Sequence, residues 1–139
     1  MPNPDRPSPV APCPCGQEGG RTLRECCGPC VLDGEPAPTP EALMRSRYTA
    51  FVLHDADHLW RTWHPRTRPE SVGDLNGITW TGLTILDADG GLAPDDSSGT
   101  VTFAAAYVTD DGRRGELRER SHFERRAGRW FYVDGDELT

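Results

Sequence analysis

The segment from Thr39 to Pro65 has the longest helical periodicity in the chain, and we expect the rest of the chain to pack around it. Thr39 is a typical helix N-cap residue, and Pro40 suits the first helical position, where a backbone N–H is not needed. Apolar residues then recur at steps of three and four, which predicts one apolar helix face. The residues of this face are Leu43, Met44, Tyr48, Phe51 and Val52. A second, short helix is predicted to start at Asp55 or Asp57 and to end before Pro65, which disfavours helical geometry at the preceding residue.

The composition limits the classes of function. The 139 residues carry a net charge of −7, which disfavours binding to nucleic acid or to anionic membranes, because both need a basic surface. All 15 basic residues are arginines, so no lysine is available for Schiff-base chemistry or for a phosphate-binding loop. The sequence contains neither an apolar run long enough to span a membrane nor a signal-peptide pattern. We therefore expect a cytoplasmic protein.

All 5 cysteines lie between residues 13 and 30. An odd number excludes a complete set of disulfides within the chain. Two close pairs, Cys13 with Cys15 and Cys26 with Cys27, could instead surround one tetrahedral Zn²⁺. The metal would hold in shape a segment that has too few apolar residues to fold alone, so we predict one structural zinc ion per chain. The alternatives are free or redox-active thiols, or two disulfides that link the pairs and leave Cys30 over.

The second half of the chain predicts antiparallel strands. Four segments are rich in β-branched and aromatic residues or alternate in polarity, as strands do. These segments are 78–87, 100–109, 114–126 and 129–134, and the stretches 66–77 and 87–99 between them are predicted loops. Helices followed by a meander of strands give an α+β class, in which a curved antiparallel sheet wraps around the N-terminal helices.

Alternation along the third strand predicts which side chains point towards the helix. Leu117 and Phe123 mark the inner face, so Glu119 and Ser121 would be polar groups on a largely apolar wall. A buried carboxylate needs a partner, and Arg47 on the helix is the natural candidate. A β-bulge in this strand would exchange the two faces and turn the opposite side chains inwards.

These polar groups allow two interpretations. In the one that we favour, an ion pair between Arg47 and Glu119 ties the helix to the sheet, because buried ion pairs are common structural anchors. In the other, the groups line a pocket in which Glu119 or His64 acts as a general acid or base. The predicted pocket residues are Arg47, Tyr48, Trp63, His64, Tyr107, Glu119 and Ser121.

Two further histidines have helical spacing. His54 and His58 could share a metal ion, but the sequence offers no third ligand, so we interpret both as surface residues on a helix. No nucleophile motif or paired-carboxylate signature is present in the sequence. The sequence therefore favours a binding protein over an enzyme.

Several blocks of sequence resemble known families. CPCG at residues 13–16 and ECCG at residues 25–28 resemble the two ends of the SEC-C motif, named for the zinc-binding tail of the SecA translocation ATPase. The blocks TPEALMRSRYTAF, TWHP, ERSHF and RWFYVDG resemble, in this order, the YchJ-type family of uncharacterised bacterial proteins. That family is similar in fold to nuclear transport factor 2 (NTF2) and to the SnoaL-like enzymes. The resemblance implies a cone-shaped sheet that is open at one end.

The resemblance also implies a domain organisation and two classes of function. The predicted parts are a flexible tail at 1–12, a SEC-C-like zinc-binding motif at 13–30, a linker at 31–38 and an NTF2-like domain at 39–139. The zinc motif implies a protein partner, and the cone implies a small-molecule ligand or, alternatively, a SnoaL-like enzyme. Cone folds of this kind also dimerise through the outer face of the sheet. The predicted outer-face residues of the first strand are Thr79, Thr81, Leu83 and Ile85.

Overall fold

The computed structural model describes residues 11–16 and 21–138. Most of the predicted tail, residues 1–10, lies outside the described residues, as do 17–20 and 139. The described chain forms three helices followed by one antiparallel sheet of four strands. The elements are α1 (Gly28–Val31), α2 (Pro40–Leu53), α3 (Ala56–Arg61), β1 (Ile78–Gly90), β2 (Ser98–Thr109), β3 (Arg114–Arg126) and β4 (Arg129–Glu137). The predicted α+β class is confirmed.

Helix α2 begins where the sequence predicts. Thr39 has an extended backbone, and its side chain accepts a hydrogen bond from a first-turn amide at 3.1 Å. The helix ends at Leu53 because His54 adopts the left-handed conformation, with φ of 56°. Asp55 then accepts a hydrogen bond from the His58 amide and starts α3. Two local caps therefore set the break between the two helices.

The sheet is a meander in the order β1-β2-β3-β4. Strand β1 extends to Gly90 rather than to residue 87, and β4 extends to Glu137 rather than to residue 134. The added residues are small or acidic and mostly exposed, so backbone pairing such as that of Gly90 with Gly99 holds them rather than side-chain burial. The predicted loop 87–99 therefore shrinks to residues 91–97.

Because β1 contains two bulges, the outer face that was predicted for this strand is wrong. The pairing of β1 with β2 passes over Thr81 and Leu86. Because a bulge reverses the alternation of a strand, Thr79 and Thr81 are exposed, whereas Leu83 and Ile85 pack against the core. The four residues do not share one face, and a homodimer through the sheet stays a prediction.

Strand β3 keeps the alternation that the sequence predicts. Ser121 and Phe123 are buried and Glu119 is half-buried, whereas Arg118 and Arg120 are exposed. The irregularity in this part of the sheet lies in β4, where the pairing passes over Val133. The exchange of faces that a bulge in β3 would cause therefore does not occur.

The cysteine-bearing arm, residues 11–31, packs against α2 through its described parts, residues 11–16 and 21–31. Its buried residues belong to one hydrophobic cluster with α2 and the inner face of the sheet. The most buried members of this cluster are Cys15, Leu23, Leu43, Val101, Ala105 and Phe123. Within the described ranges, no helix has the length and apolar character of a membrane span.

Candidate metal centre and adjacent cavity

Short backbone contacts fold the arm onto itself. The Cys13 amide donates to the Arg21 carbonyl at 2.9 Å, which joins the start of the arm to its middle. The Gly28 amide donates to the Leu23 carbonyl at 2.6 Å, and a Cβ on Gly28 would lie 2.5 Å from that oxygen. The glycine of the ECCG block is therefore needed for this close approach. These contacts bring the second cysteine pair next to the first.

The sulfur atoms of Cys13, Cys15, Cys26 and Cys27 lie within 4.8 Å of one another. The separation is 3.6 Å between Cys13 and Cys15 and 3.4 Å between Cys15 and Cys26. It is 4.0 Å between Cys26 and Cys27. Four sulfurs around a tetrahedral Zn²⁺, each about 2.3 Å from the metal, are about 3.8 Å apart. The four cysteines are therefore close enough to hold a metal ion.

Electrostatics in this cluster favours a bound cation. Burial raises the pKa of Cys26 to about 12. Hydrogen bonding to the Cys13 and Cys15 thiols raises the pKa of Cys27, and contacts with the same group of sulfurs lower the pKa of Cys13. The thiols therefore cannot all ionise together unless a positive charge compensates them. All five cysteines of the chain are thiols rather than disulfides, and Cys30 lies outside the cluster.

Helix α2 supplies the wall against which the cluster packs. Arg45 donates from Nη1 to the Cys15 carbonyl at 3.4 Å and from Nε to Glu41 at 3.1 Å. Thr49, which is fully buried, contacts the first cysteine pair through its hydroxyl group. The sequence analysis did not identify Thr49, because its contact depends on how the arm folds back onto the helix.

A cavity of about 140 Å³ lies between the other side of α2 and the inner face of the sheet. Its lining is largely aromatic and apolar, with a few polar groups. The lining residues are Met44, Arg47, Tyr48, Phe51, Trp63, Trp80, Phe103, Ala105, Leu117, Glu119, Ser121 and Tyr132. Five of the seven predicted pocket residues are among them, and His64 and Tyr107 are not. Tyr132 could have been found by extending the alternation argument from β3 to β4.

His64 lies on the other side of β4 from the cavity. Its Nδ1 accepts a hydrogen bond from the Arg66 amide at 3.0 Å, and its ring packs edge-on against Phe131, 5.9 Å between centroids. Its Nε2 is 3.9 Å from a carboxylate oxygen of Glu124. His64 was predicted to line the pocket, but it does not line this cavity. Tyr107 shares the inner face but packs on Trp80, 5.5 Å between ring centroids.

Arg47 does not form the predicted ion pair with Glu119. Its Nη1 donates to the Leu59 carbonyl at 2.8 Å and to Thr62 Oγ1 at 2.6 Å, because α3 and the turn after it lie directly beside the guanidinium. Burial lowers the pKa of Arg47 to about 10, so the group stays charged at neutral pH. Glu119 instead accepts a hydrogen bond from Ser121 at 2.6 Å. The hydrogen bonds that anchor α2 through Arg47 thus go to α3 and the residue after it, not to the sheet.

The surface position predicted for His58 is also wrong. Only 1% of His58 is exposed, and its Nε2 lies 3.0 Å from Ser46 Oγ on α2. Burial lowers the pKa of His58 to about 4. His54 is exposed as predicted, but it ends α2 rather than sharing a helix with His58.

The fold and the site define an α+β protein in which an arm with four clustered cysteines packs on helix α2, and α2 packs on a four-stranded antiparallel sheet. The family model described as YchJ, middle NTF2-like domain, matches residues 39–135. The chain belongs to this YchJ family, as its sequence blocks predict. UPF0225 protein SCO1677 from Streptomyces coelicolor is 52% identical over 130 residues, covering 94% of this chain and 98% of that protein. A UPF0225 protein from Deinococcus radiodurans is 45% identical, covering 93% and 92%, respectively.

Two solved structures share the whole arrangement. RPA3114 from Rhodopseudomonas palustris, a SEC-C motif containing protein, has a TM-score of 0.76 and 32% sequence identity, covering 92% of this chain and 99% of that chain. A SEC-C motif containing protein from Psychrobacter arcticus has a TM-score of 0.73 and 25% identity, covering 94% and 85%. These similarities confirm the NTF2-like fold and the SEC-C character predicted from the sequence.

Proposed function

We propose that the protein binds one zinc ion through Cys13, Cys15, Cys26 and Cys27, and that the ion is structural. The observation that supports this proposal is the set of sulfur separations, which match the edges of a tetrahedral thiolate site. Soft thiolate ligands favour zinc over hard cations such as Mg²⁺ and Ca²⁺. A set of four protein ligands leaves no open coordination position, which is the arrangement of structural rather than catalytic zinc. A reducing cytoplasm would keep these cysteines available as thiols.

When bound, zinc would compensate the charge of the thiolates and hold the two ends of the arm together. Cys15, Leu23 and Cys27 of the arm are almost completely buried against the rest of the chain. Arg45 lies beside Cys15, where its positive charge would stabilise the net negative charge of a four-thiolate zinc site. The ion would therefore stabilise the packing of the arm on α2.

Metal content per chain tests this proposal, measured by elemental mass spectrometry on freshly purified protein. We expect about one zinc per chain in the unmodified protein, because four thiolates form one closed site. Cys26→Ser should lose most of the metal. Cys30→Ser is the matched control, because Cys30 lies one turn further along the arm but outside the cluster.

Zinc that is retained in Cys26→Ser, or lost in Cys30→Ser, would contradict the proposed ligand set. Purified protein without metal, whose thiols titrate as free or disulfide-bonded, would contradict a structural zinc site. A thiol-redox function would then become the leading hypothesis.

The second candidate function is the binding of a small molecule in the cavity beside α2. The observation that favours it is a largely aromatic space of about 140 Å³ with a few polar groups on its wall. We favour binding over a SnoaL-like reaction, because His64 lies outside this space and Glu119 is held by Ser121. A protein partner at the arm and a homodimer stay predictions.

Calorimetric titration with benzyl alcohol, a neutral single-ring compound, tests whether the cavity accepts a ligand. Ala105→Leu should abolish binding, because the added side chain would fill the space that Ala105 borders. Ala106→Leu is the matched control, because the next residue of β2 points to the opposite face. Binding that is equal in the two variants would place the ligand outside the cavity.

A further inference from the structure

We propose that the cavity binds a small aromatic monocarboxylate, and that Arg47 holds the carboxylate group. This inference rests on the second proposed function, ligand binding in the cavity, and names the chemical class of the ligand. The first observation is the burial of Arg47. This side chain is only 4% exposed, yet it lines the cavity.

Arg47 is a buried cation whose hydrogen-bond partners are neutral. Both of its hydrogen bonds go to uncharged oxygens, the Leu59 carbonyl and the Thr62 hydroxyl. Within residues 11–16 and 21–138, none of the ion pairs includes Arg47. Arginine is almost never this buried unless a negative group compensates it, because removing a charge from water is costly. Glu119 acts on Arg47 from a distance and forms no ion pair with it. A ligand anion in contact with the guanidinium would supply the paired charge.

The geometry of the guanidinium favours a planar acid. Both hydrogen bonds of Arg47 come from Nη1, so the edge formed by Nε and Nη2 is the one left for a second partner. A guanidinium edge matches a carboxylate with two parallel hydrogen bonds. The rings of Tyr132 and Trp63, at 4.5 and 5.5 Å from the guanidinium carbon, hold the side chain in place. The arginine is thus fixed before a ligand arrives, which lowers the entropy cost of binding.

The size and lining of the cavity favour one aromatic ring. A cavity of about 150 Å³ lined by apolar side chains is known to accept benzene, and this cavity has about 140 Å³. Aromatic side chains on α2, on the segment after α3 and on strands β1, β2 and β4 surround it and offer ring edges and faces to a ligand ring. The aromatic lining residues are Tyr48, Phe51, Trp63, Trp80, Phe103 and Tyr132.

Glu119 restricts the ligand to one carboxylate. Its negative charge is close enough to act on both Arg47 and Tyr132. A second acidic group on the ligand would be repelled by this carboxylate, whereas a hydroxyl group could donate a hydrogen bond to it. The favoured ligand is therefore a single-ring monocarboxylate that carries a hydroxyl group.

The test is calorimetric titration of the full, zinc-loaded chain with three compounds. The acid is 4-hydroxybenzoate, its neutral analogue is 4-hydroxybenzyl alcohol, and terephthalate is the dicarboxylate. We expect the acid to bind at least about tenfold more tightly than either of the others, because only the acid both pairs with Arg47 and avoids repulsion by Glu119.

Arg47→Met is the decisive variant, and Arg118→Met is its control on the outer face of β3. Arg47→Met removes the charge but keeps an unbranched side chain, and thermal unfolding verifies that this variant folds. It should bind the acid and the alcohol with equal affinity. Arg118→Met should keep the preference for the acid, because Arg118 is exposed and contacts Glu116 rather than the cavity.

The outcomes separate the two proposals. Equal binding of acid and alcohol by the unmodified protein, with no change in Arg47→Met, would overturn the carboxylate assignment while ligand binding in the cavity stands. If neither these compounds nor benzyl alcohol binds, both proposals are overturned.

Discussion

The hydroxyl oxygen of Thr49 lies 3.8 Å from the sulfur of Cys13, in the interior between the arm and α2. Thr49 is fully buried, and its helix neighbours Arg47 and Tyr48 line the cavity on the other side. One helix therefore forms a wall of both candidate sites. The arm contacts it through Thr49 and Arg45.

Removing the Thr49 hydroxyl should weaken zinc binding. Residues that hydrogen-bond to metal ligands usually contribute 10- to 100-fold in metal affinity, so we expect Thr49→Val to lose about tenfold. Competition with a coloured zinc chelator measures this affinity. Thr84→Val, an exposed threonine of β1, is the control for the change of side chain. Equal affinities in the two variants would show that the Thr49 contact does not support the metal ligands.

Gly28→Ala should destabilise the arm. The added Cβ would lie 2.5 Å from the Leu23 carbonyl oxygen, which belongs to the backbone and cannot move without disturbing the turn. Forcing such a contact typically costs about 1 to 3 kcal/mol. Urea unfolding of the zinc-loaded protein measures the free energy of unfolding. Gly82→Ala, where an added Cβ would meet nothing within 4 Å, should cost clearly less.

Thr62→Val should destabilise the protein through Arg47. The Thr62 hydroxyl accepts a hydrogen bond from Arg47 and donates one to the His58 carbonyl at 2.7 Å. Without this hydroxyl, the buried guanidinium has one hydrogen-bond partner fewer. We expect the free energy of unfolding to fall by about 1 to 3 kcal/mol. In the Arg47→Met background the same change should cost less. A double-mutant cycle by urea unfolding measures the difference, and strict additivity would contradict the coupling.

Stability should fall as the pH is lowered from about 6.5 towards 4, partly because of His58. Its pKa is about 4 in the folded protein against an ordinary value of 6.5, so in this range the unfolded chain binds a proton that the folded chain does not. Over the full range, this difference in pKa lowers the free energy of unfolding by about 3 kcal/mol. Burial is the main cause of the shift; among nearby charges, Asp55 opposes it, whereas Arg47 and Arg61 add to it.

The difference between variants isolates this contribution. His58→Gln should show a weaker loss of the free energy of unfolding between pH 6.5 and pH 4 at the same zinc concentration. His54→Asn should keep the full loss, because His54 is exposed and asparagine tolerates its left-handed backbone. An unchanged pH dependence in His58→Gln would contradict the assignment.

Local signals were sufficient for much of the fold. Thr39 and Pro40 mark the start of α2 by capping chemistry that depends on neighbouring residues alone. The alternation of β3 likewise follows from the sequence, because a strand without a bulge has a period of two. The cysteine pairs were recognisable because the spacing of thiols limits how they can share a metal ion.

Features that depend on distant partners were not predictable in the same way. The bulge at Thr81 is set by how β1 pairs with β2, so Leu83 and Ile85 were assigned to the wrong face. The partner of Arg47 depends on where α3 lies, and α3 is placed by the left-handed turn at His54. His58 lies on α3 and is buried against α2, which the spacing of four residues between the two histidines does not reveal.

The position of α2 between the arm and the sheet has a consequence for how such a chain can diverge. Substitutions that adapt the arm to another metal would act on the side of the helix that carries Arg45 and Thr49. They must leave the positions of Arg47 and Tyr48 in the cavity wall unchanged. A rotation of the helix about its axis would displace all four side chains together. The arm is thus not a module that can be exchanged freely. Substitutions on the metal-site side of α2 limit those that the cavity side tolerates, and the reverse also holds.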